Sequence, residues 1–108
     1  MIRLAAALTL CAGPALAAIG NADICAKADR EKRLGNMTQS QCTCLLSKGD
    51  KRMDPALGKL WKEALYTGKS RVNELRSLGM SEAKMERQMR RTLRDARRDC
   101  GVKNPFGF

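Results

Sequence analysis

Histidine is missing from all 108 residues, which removes the commonest acid–base side chain and metal ligand. Catalysis would then need another nucleophile with its base, a metal cluster or a paired-carboxylate cleft. Glu63 and Glu74 are available carboxylates, but nothing in their spacing asks for a mechanism, so the chain does not read as an enzyme and no cofactor is expected. Valine occurs twice, isoleucine three times, and aromatic residues make up only 4% of the chain. That is too few to build the alternating apolar runs of β-strands. No segment repeats with a period of about 20–50 residues. What is left is an all-α fold.

A long apolar span is missing too. The opening apolar stretch, counted as far as Ile19, falls short of the roughly 20 residues that cross a bilayer, and Pro14 interrupts it. Its order fits a different purpose. Arg3 supplies a positive start, residues 4–12 an apolar core, and Ala15-Leu16-Ala17 the small residues of a cleavage site. The sequence predicts a signal peptide over residues 1–17, cut between Ala17 and Ala18. A rival lies within it, because Leu8-Thr9-Leu10-Cys11 has the outline of a lipoprotein signal with Cys11 as the lipid-bearing residue. Leu10 stands where such signals carry a small residue, and cleavage after Ala17 is the preferred reading.

Loss of the leader leaves about 91 residues, enough for one domain with a modest core. It also takes Cys11 away, so five cysteines become four: Cys25, Cys42, Cys44 and Cys100. An even set in an exported chain of this size reads as two disulfides and a periplasmic or secreted home. Without Arg3, 20 basic residues face 11 acids, a net charge of about +9. Anionic partners are expected.

Apolar spacing and stop signals divide residues 18–101 into four to five helices, a small disulfide-stapled bundle, with residues 102–108 as a tail. A first helix over residues 22–34 puts Ile24, Cys25 and Ala28 inward and stops at Gly35-Asn36. Thr38 with Gln41 forms a capping box for a second helix, in which Cys42, Leu45, Leu46, Gly49 and Met53 share one face. Asp54-Pro55 opens a third, with a stripe of Leu57, Leu60, Trp61, Ala64 and Leu65 and a stop at Gly68. A shorter piece over residues 70–78 turns Val72, Leu75 and Leu78 inward. Ser81 caps the last helix, whose Met85, Met89, Leu93, Ala96 and Cys100 recur at steps of four, four, three and four.

Cys42 and Cys44 project about 200° apart around their helix, so they reach different segments rather than each other. With the first two helices folded as a hairpin about Gly35, Cys25 falls level with Cys44, leaving Cys42 to meet Cys100. The preferred pairs are thus Cys25 with Cys44 and Cys42 with Cys100. Loops of about 20 and 59 residues would stabilise the domain by roughly 3 and 4 kcal/mol. Two chemical alternatives exist for these residues. A four-thiolate zinc site is disfavoured by the single residue between Cys42 and Cys44 and the lack of His. A thiol–disulfide factor using Cys42-Thr43-Cys44 would need an exposed, low-pKa thiolate near a helix start.

The layout of one cysteine, a polar interval, Cys42-Thr43-Cys44-Leu45-Leu46, a Trp61-bearing helix and a cysteine closing the last helix resembles small exported four-cysteine helical proteins of proteobacteria. The resemblance implies a periplasmic location and disulfides, and no reaction.

From residue 84 to 98 the last helix carries Lys84, Arg87, Arg90, Arg91, Arg94, Arg97 and Arg98. One reading is a solvated face laced with pairs such as Glu86 to Arg90 and Arg91 to Asp95. The other is an anion-binding surface, since Arg87, Arg91, Arg94 and Arg98 fall on one side and guanidinium forks suit phosphate and carboxylate. Lys48, Lys51 and Arg52 add charge at the end of the second helix. Nucleic acid is not the expected target, because no stacking aromatics are interleaved. The function expected is an interaction with an anionic envelope component or protein partner. The alternatives are the thiol–disulfide factor and a structural part of an envelope assembly.

Overall fold

A computed structural model of the chain describes residues 19–103. The expected leader, its cleavage point, Cys11 and residues 104–108 lie outside the described residues. Within them the fold is all-α, with five helices and no strand. In chain order they are α1 (Asn21–Arg30), α2 (Gln39–Arg52), α3 (Pro55–Thr67), α4 (Val72–Arg76) and α5 (Glu82–Cys100). Helix α2 is central: α1 and α3 pack on its apolar side, and α5 runs along another flank.

The helix starts follow local chemistry. The Thr38 hydroxyl accepts from the Gln41 N–H, and the Gln41 side chain accepts from the Thr38 N–H, a complete capping box. Ser81 accepts from the Lys84 N–H at 3.1 Å and opens α5. Asp54 precedes Pro55 but makes no side-chain cap. Its N–H instead donates to Gln88 Oε1 at 2.9 Å, which pins the α2–α3 corner to α5.

Helix α1 ends at Arg30, a turn before the expected stop at Gly35. Lys32 adopts a φ of 58°, Arg33 N–H donates to the Ala28 carbonyl, and Lys32 N–H donates to that of Asp29. This is a Schellman closure with lysine in the left-handed position usually given to glycine. The connection from Glu31 to Thr38 is correspondingly long, and α2 folds back antiparallel to α1 as the expected hairpin, with Gln39 donating to Asp29 at 2.9 Å at one end and Asn21 donating to Asp50 at 3.1 Å at the other.

The core gathers Ile24, Cys25, Ala28, Leu34, Met37, Cys42, Leu45, Leu46, Leu65, Ala96 and Val102. The inner face expected for α2 is buried throughout, from Cys42 to Met53. Gly49 on that face lets Trp61 lie against the α2 backbone, since a Cβ there would stand 2.4 Å from Trp61 Cζ3. The exposed carbonyls at the end of α3 are met by cations from α1 and the loop after it. Arg33 donates to the carbonyls of Leu65 and Tyr66 at 2.9 and 2.6 Å, and Lys27 donates to that of Tyr66 at 2.7 Å. Lys27 Nζ also lies 4.6 Å from the centre of the Tyr66 ring.

Three expectations about burial are corrected. Helix α4 has only five residues and buries none of them, and Val72 is 48% exposed; so short a helix, attached by Arg71 to Glu63 at 2.6 Å, has no inward face to fill. In α5 the buried residues are Thr92, Asp95 and Ala96; of the expected stripe Ala96 is buried, Leu93 and Cys100 are half-buried against the core, and Met85 and Met89 are half-buried without joining it. The helix is rotated toward α2 because its seam with α2 is polar, and the Thr92 hydroxyl is satisfied by donating to the Gln88 carbonyl at 2.9 Å. Val102, placed in the tail by the sequence reading, is 4% exposed and belongs to the core.

The disulfides are Cys25–Cys42 and Cys44–Cys100, each with a Cα–Cα distance of 5.8 Å. The expected exchange, Cys25 with Cys44 and Cys42 with Cys100, is therefore overturned. The two α2 cysteines do diverge, but α1 takes the apolar face that holds Cys42, Leu45 and Leu46. That leaves Cys44, on the flank with Lys48 and Arg52, to meet the end of α5.

Candidate anion-binding surface

Helices α2 and α5 run antiparallel, and their contact is written as a ladder of matched residues. Cys44 joins Cys100, Lys48 Nζ lies 3.0 Å from the Asp99 carboxylate, and Arg52 Nε lies 2.6 Å from that of Asp95. Beyond these, Lys84 reaches Asp54 at 3.5 Å. At the other end Gln41 donates to the Gly101 carbonyl at 3.0 Å. On α2 the spacing 44, 48, 52 is one turn per step, so one flank of the helix carries the whole series.

Asp95 is the hub. Its side chain is only 6% exposed, with Arg52 at 2.6 Å, Arg98 at 3.4 Å and Arg94 at 3.8 Å around it. The hydrogen bond from Arg52 is the main reason its carboxyl titrates below the ordinary aspartate range, with the charges of Arg98 and Arg94 adding to it. Asp99 is held lower still, by hydrogen bonds from Arg98 and Lys48. Both carboxylates stay ionised; Asp95 is turned into the seam, and Asp99 lies at its exposed edge. The arginines around Asp95 do not follow it inward: Arg52, Arg94 and Arg98 remain 40%, 64% and 63% exposed.

Of the four arginines singled out from the sequence, all are exposed. Arg94 and Arg98 lean on Asp95, and Arg98 also pairs with Asp99 at 2.9 Å. Arg87 and Arg91 make no ion pair among the described residues. The anticipated Arg91–Asp95 pair does not form, because Asp95 faces α2; Glu86–Arg90 does, at 2.6 Å. Lys48 and Arg52, treated in the sequence as a separate basic cluster, are brought into the same surface. The signal for this was the complementary spacing of Lys48 and Arg52 with Asp99 and Asp95, four residues apart on both helices.

The rest of the surface offers little chemistry. Glu63 and Glu74 are both bound by Arg71, at 2.6 and 4.0 Å. Cys42 and Cys44 are halves of two different bridges, so in this state they are not one dithiol couple. Among the described residues no group of His, Cys, Asp or Glu is placed to hold a metal ion, and no helix is long and apolar enough to cross a membrane. A shallow groove of about 460 Å³ lies between α3 and α5, lined by Trp61, Ala64, Leu65 and Met89 with Lys69 at its rim.

These features define a disulfide-stapled all-helical domain, and two such bridges belong to an oxidising environment. No protein-family model, curated protein or solved structure matches the chain.

Proposed function

We propose that the protein is exported to the cell envelope and acts by binding, with the α2–α5 face meeting an anionic partner. One observation carries this reading: Asp95 is drawn into the seam of the helix pair while Arg87, Arg91, Arg94 and Arg98 hold their guanidinium groups in solvent. The net charge of +10 adds long-range attraction for any polyanion. The likeness to exported four-cysteine proteins and the leader-like residues 1–17 support a periplasmic setting, and the two bridges support a protein of an oxidising compartment. No catalytic step is proposed.

The test is retention of the oxidised protein on envelope fractions or an immobilised polyanion, followed as salt is raised. Exposed charges separated by more than about 10 Å are screened at roughly 0.1 M salt. Binding at low salt that declines steeply with added salt is the expected result. Absence of binding at low salt contradicts the reading.

A further inference from the structure

The geometry points to a more specific partner: we infer that the α2–α5 face docks flat on a phosphate-bearing lipid surface, held by charge and without insertion. This rests on the binding role proposed above and names its ligand.

At about 100° per residue, Arg87, Arg91, Arg94 and Arg98 lie within an arc of roughly 60° on α5. That arc points away from Ala96 and Thr92, which are fully buried. Lys51 stands about 180° around α2 from Cys42, whose bridge to Cys25 is in the core. Because the helices are antiparallel and share the seam through Arg52 and Asp95, Lys51 comes out on the same side as the arginine arc. Neighbouring helix axes sit about 8–10 Å apart, and residues 87 to 98 span roughly 16 Å of helix. The cationic face is therefore a small plane two helices wide. A single line of arginines would suit a linear polyanion; a plane suits a sheet of headgroups.

The composition of the plane narrows the class further. Its α5 cations are all arginine, whose forks pair with phosphate oxygens more readily than lysine does. No apolar or aromatic side chain interrupts it, since Met85, Met89 and Leu93 are half-buried on other sides of α5. Interfacial helices that insert present bulky apolar residues to the acyl boundary, and single-stranded nucleic acid is held by stacking aromatics. Neither is available here. Cys44–Cys100 and the two seam pairs fix one helix against the other, so the plane is built before any ligand arrives.

The experiment is sedimentation of the oxidised full domain with vesicles of phosphatidylglycerol and phosphatidylcholine, vesicles of phosphatidylcholine alone, and soluble linear polyphosphate, at about 20 mM salt. A basic residue close to an anionic membrane strengthens binding roughly fivefold. Neutralising Arg87 and Arg91 together, R87Q/R91Q, leaves the seam pairs intact and should weaken binding to the anionic vesicles about 25-fold. K51Q should weaken it about fivefold, whereas R30Q/R76Q, two exposed cations on α1 and α4, should change it less than about twofold. The inference is overturned if polyphosphate is bound and anionic vesicles are not, an outcome that leaves the binding role standing. It is overturned equally if K51Q has no effect, or if R30Q/R76Q weakens binding as much as R87Q/R91Q. If no anionic ligand binds at all, the proposed function falls with it.

Discussion

Arg52 and Asp95 meet across the α2–α5 seam at 2.6 Å, one turn from the Lys48–Asp99 pair and two turns from the Cys44–Cys100 bridge. The bond has two effects that oppose each other in function. It ties the helices together, and it places a carboxylate in the midst of a surface whose net charge is positive. Replacing Asp95 by Asn should separate these effects. The thermal midpoint should fall, because Arg52 loses its ionic partner, while affinity for anionic vesicles should rise about fivefold as one negative charge leaves the face. Thermal melts and salt-dependent retention on the same variant measure the two changes.

Acid should destabilise the fold through a small set of carboxylates. Glu31 is lowered by hydrogen bonds from Arg33 and Lys27, Asp95 by that from Arg52, and Asp99 by those from Arg98 and Lys48. A folded-state pKa below the unfolded value means the folded chain holds its proton less tightly. The stability so gained is complete above the unfolded values of about 4 and is lost as pH falls below them toward the folded values. With no histidine to titrate, the urea midpoint should be level between about pH 6 and pH 8 and drop on acidification below about 4.

The two bridges should be unequal. Cys25–Cys42 closes a separation of 17 residues and Cys44–Cys100 one of 56, so loop entropy assigns them roughly 3 and 4 kcal/mol. C44S/C100S should cost more in urea unfolding than C25S/C42S, if packing losses are comparable. Reduction of both should abolish the cooperative helical melt seen by circular dichroism, because together they rival the stability of a small domain. Peptide mapping of the oxidised protein should recover Cys25 linked to Cys42 and Cys44 linked to Cys100.

Gly49 should tolerate no side chain. A Cβ there would lie 2.4 Å from Trp61 Cζ3, so G49A must displace the indole or part α2 from α3. Overpacking of this kind costs about 1–3 kcal/mol. Trp61 fluorescence and the urea midpoint should shift together, whereas G20A, with open space around its Cβ position, should leave both unchanged.

Local chemistry was legible in the sequence, and tertiary choice was less so. The Thr38–Gln41 capping box and the one-faced run from Cys42 to Met53 depend on neighbours within a few turns, and both are found as expected. The divergence of Cys42 and Cys44 also follows from helical periodicity alone. Which helix each would meet depends on which face of α2 each neighbour takes, α1 that of Cys42 and α5 that of Cys44; the early stop of α1 was hidden because its left-handed turn falls at Lys32, a residue that does not advertise it. The α5 stripe held only at Ala96, Leu93 and Cys100, for a related reason. Hydrophobicity ranks Met85, Met89 and Leu93 as the inner face, yet Asp95 is buried because Arg52, 43 residues earlier, comes to neutralise it. The arginine stripe was visible in the sequence. Its extension onto α2, through Lys48, Lys51 and Arg52, required the register of the two helices.

The central claim, that the α2–α5 face is the binding surface, is tested most directly by an amide NMR titration of the oxidised domain with a soluble short-chain anionic phospholipid below its micelle concentration. The account predicts that the largest shifts fall on Lys51, Arg87, Arg91, Arg94 and Arg98, with those of Trp61, Ala64 and Leu65 unmoved. Shifts centred on Trp61 and its groove, or scattered evenly over the exposed cations of all five helices, would contradict it.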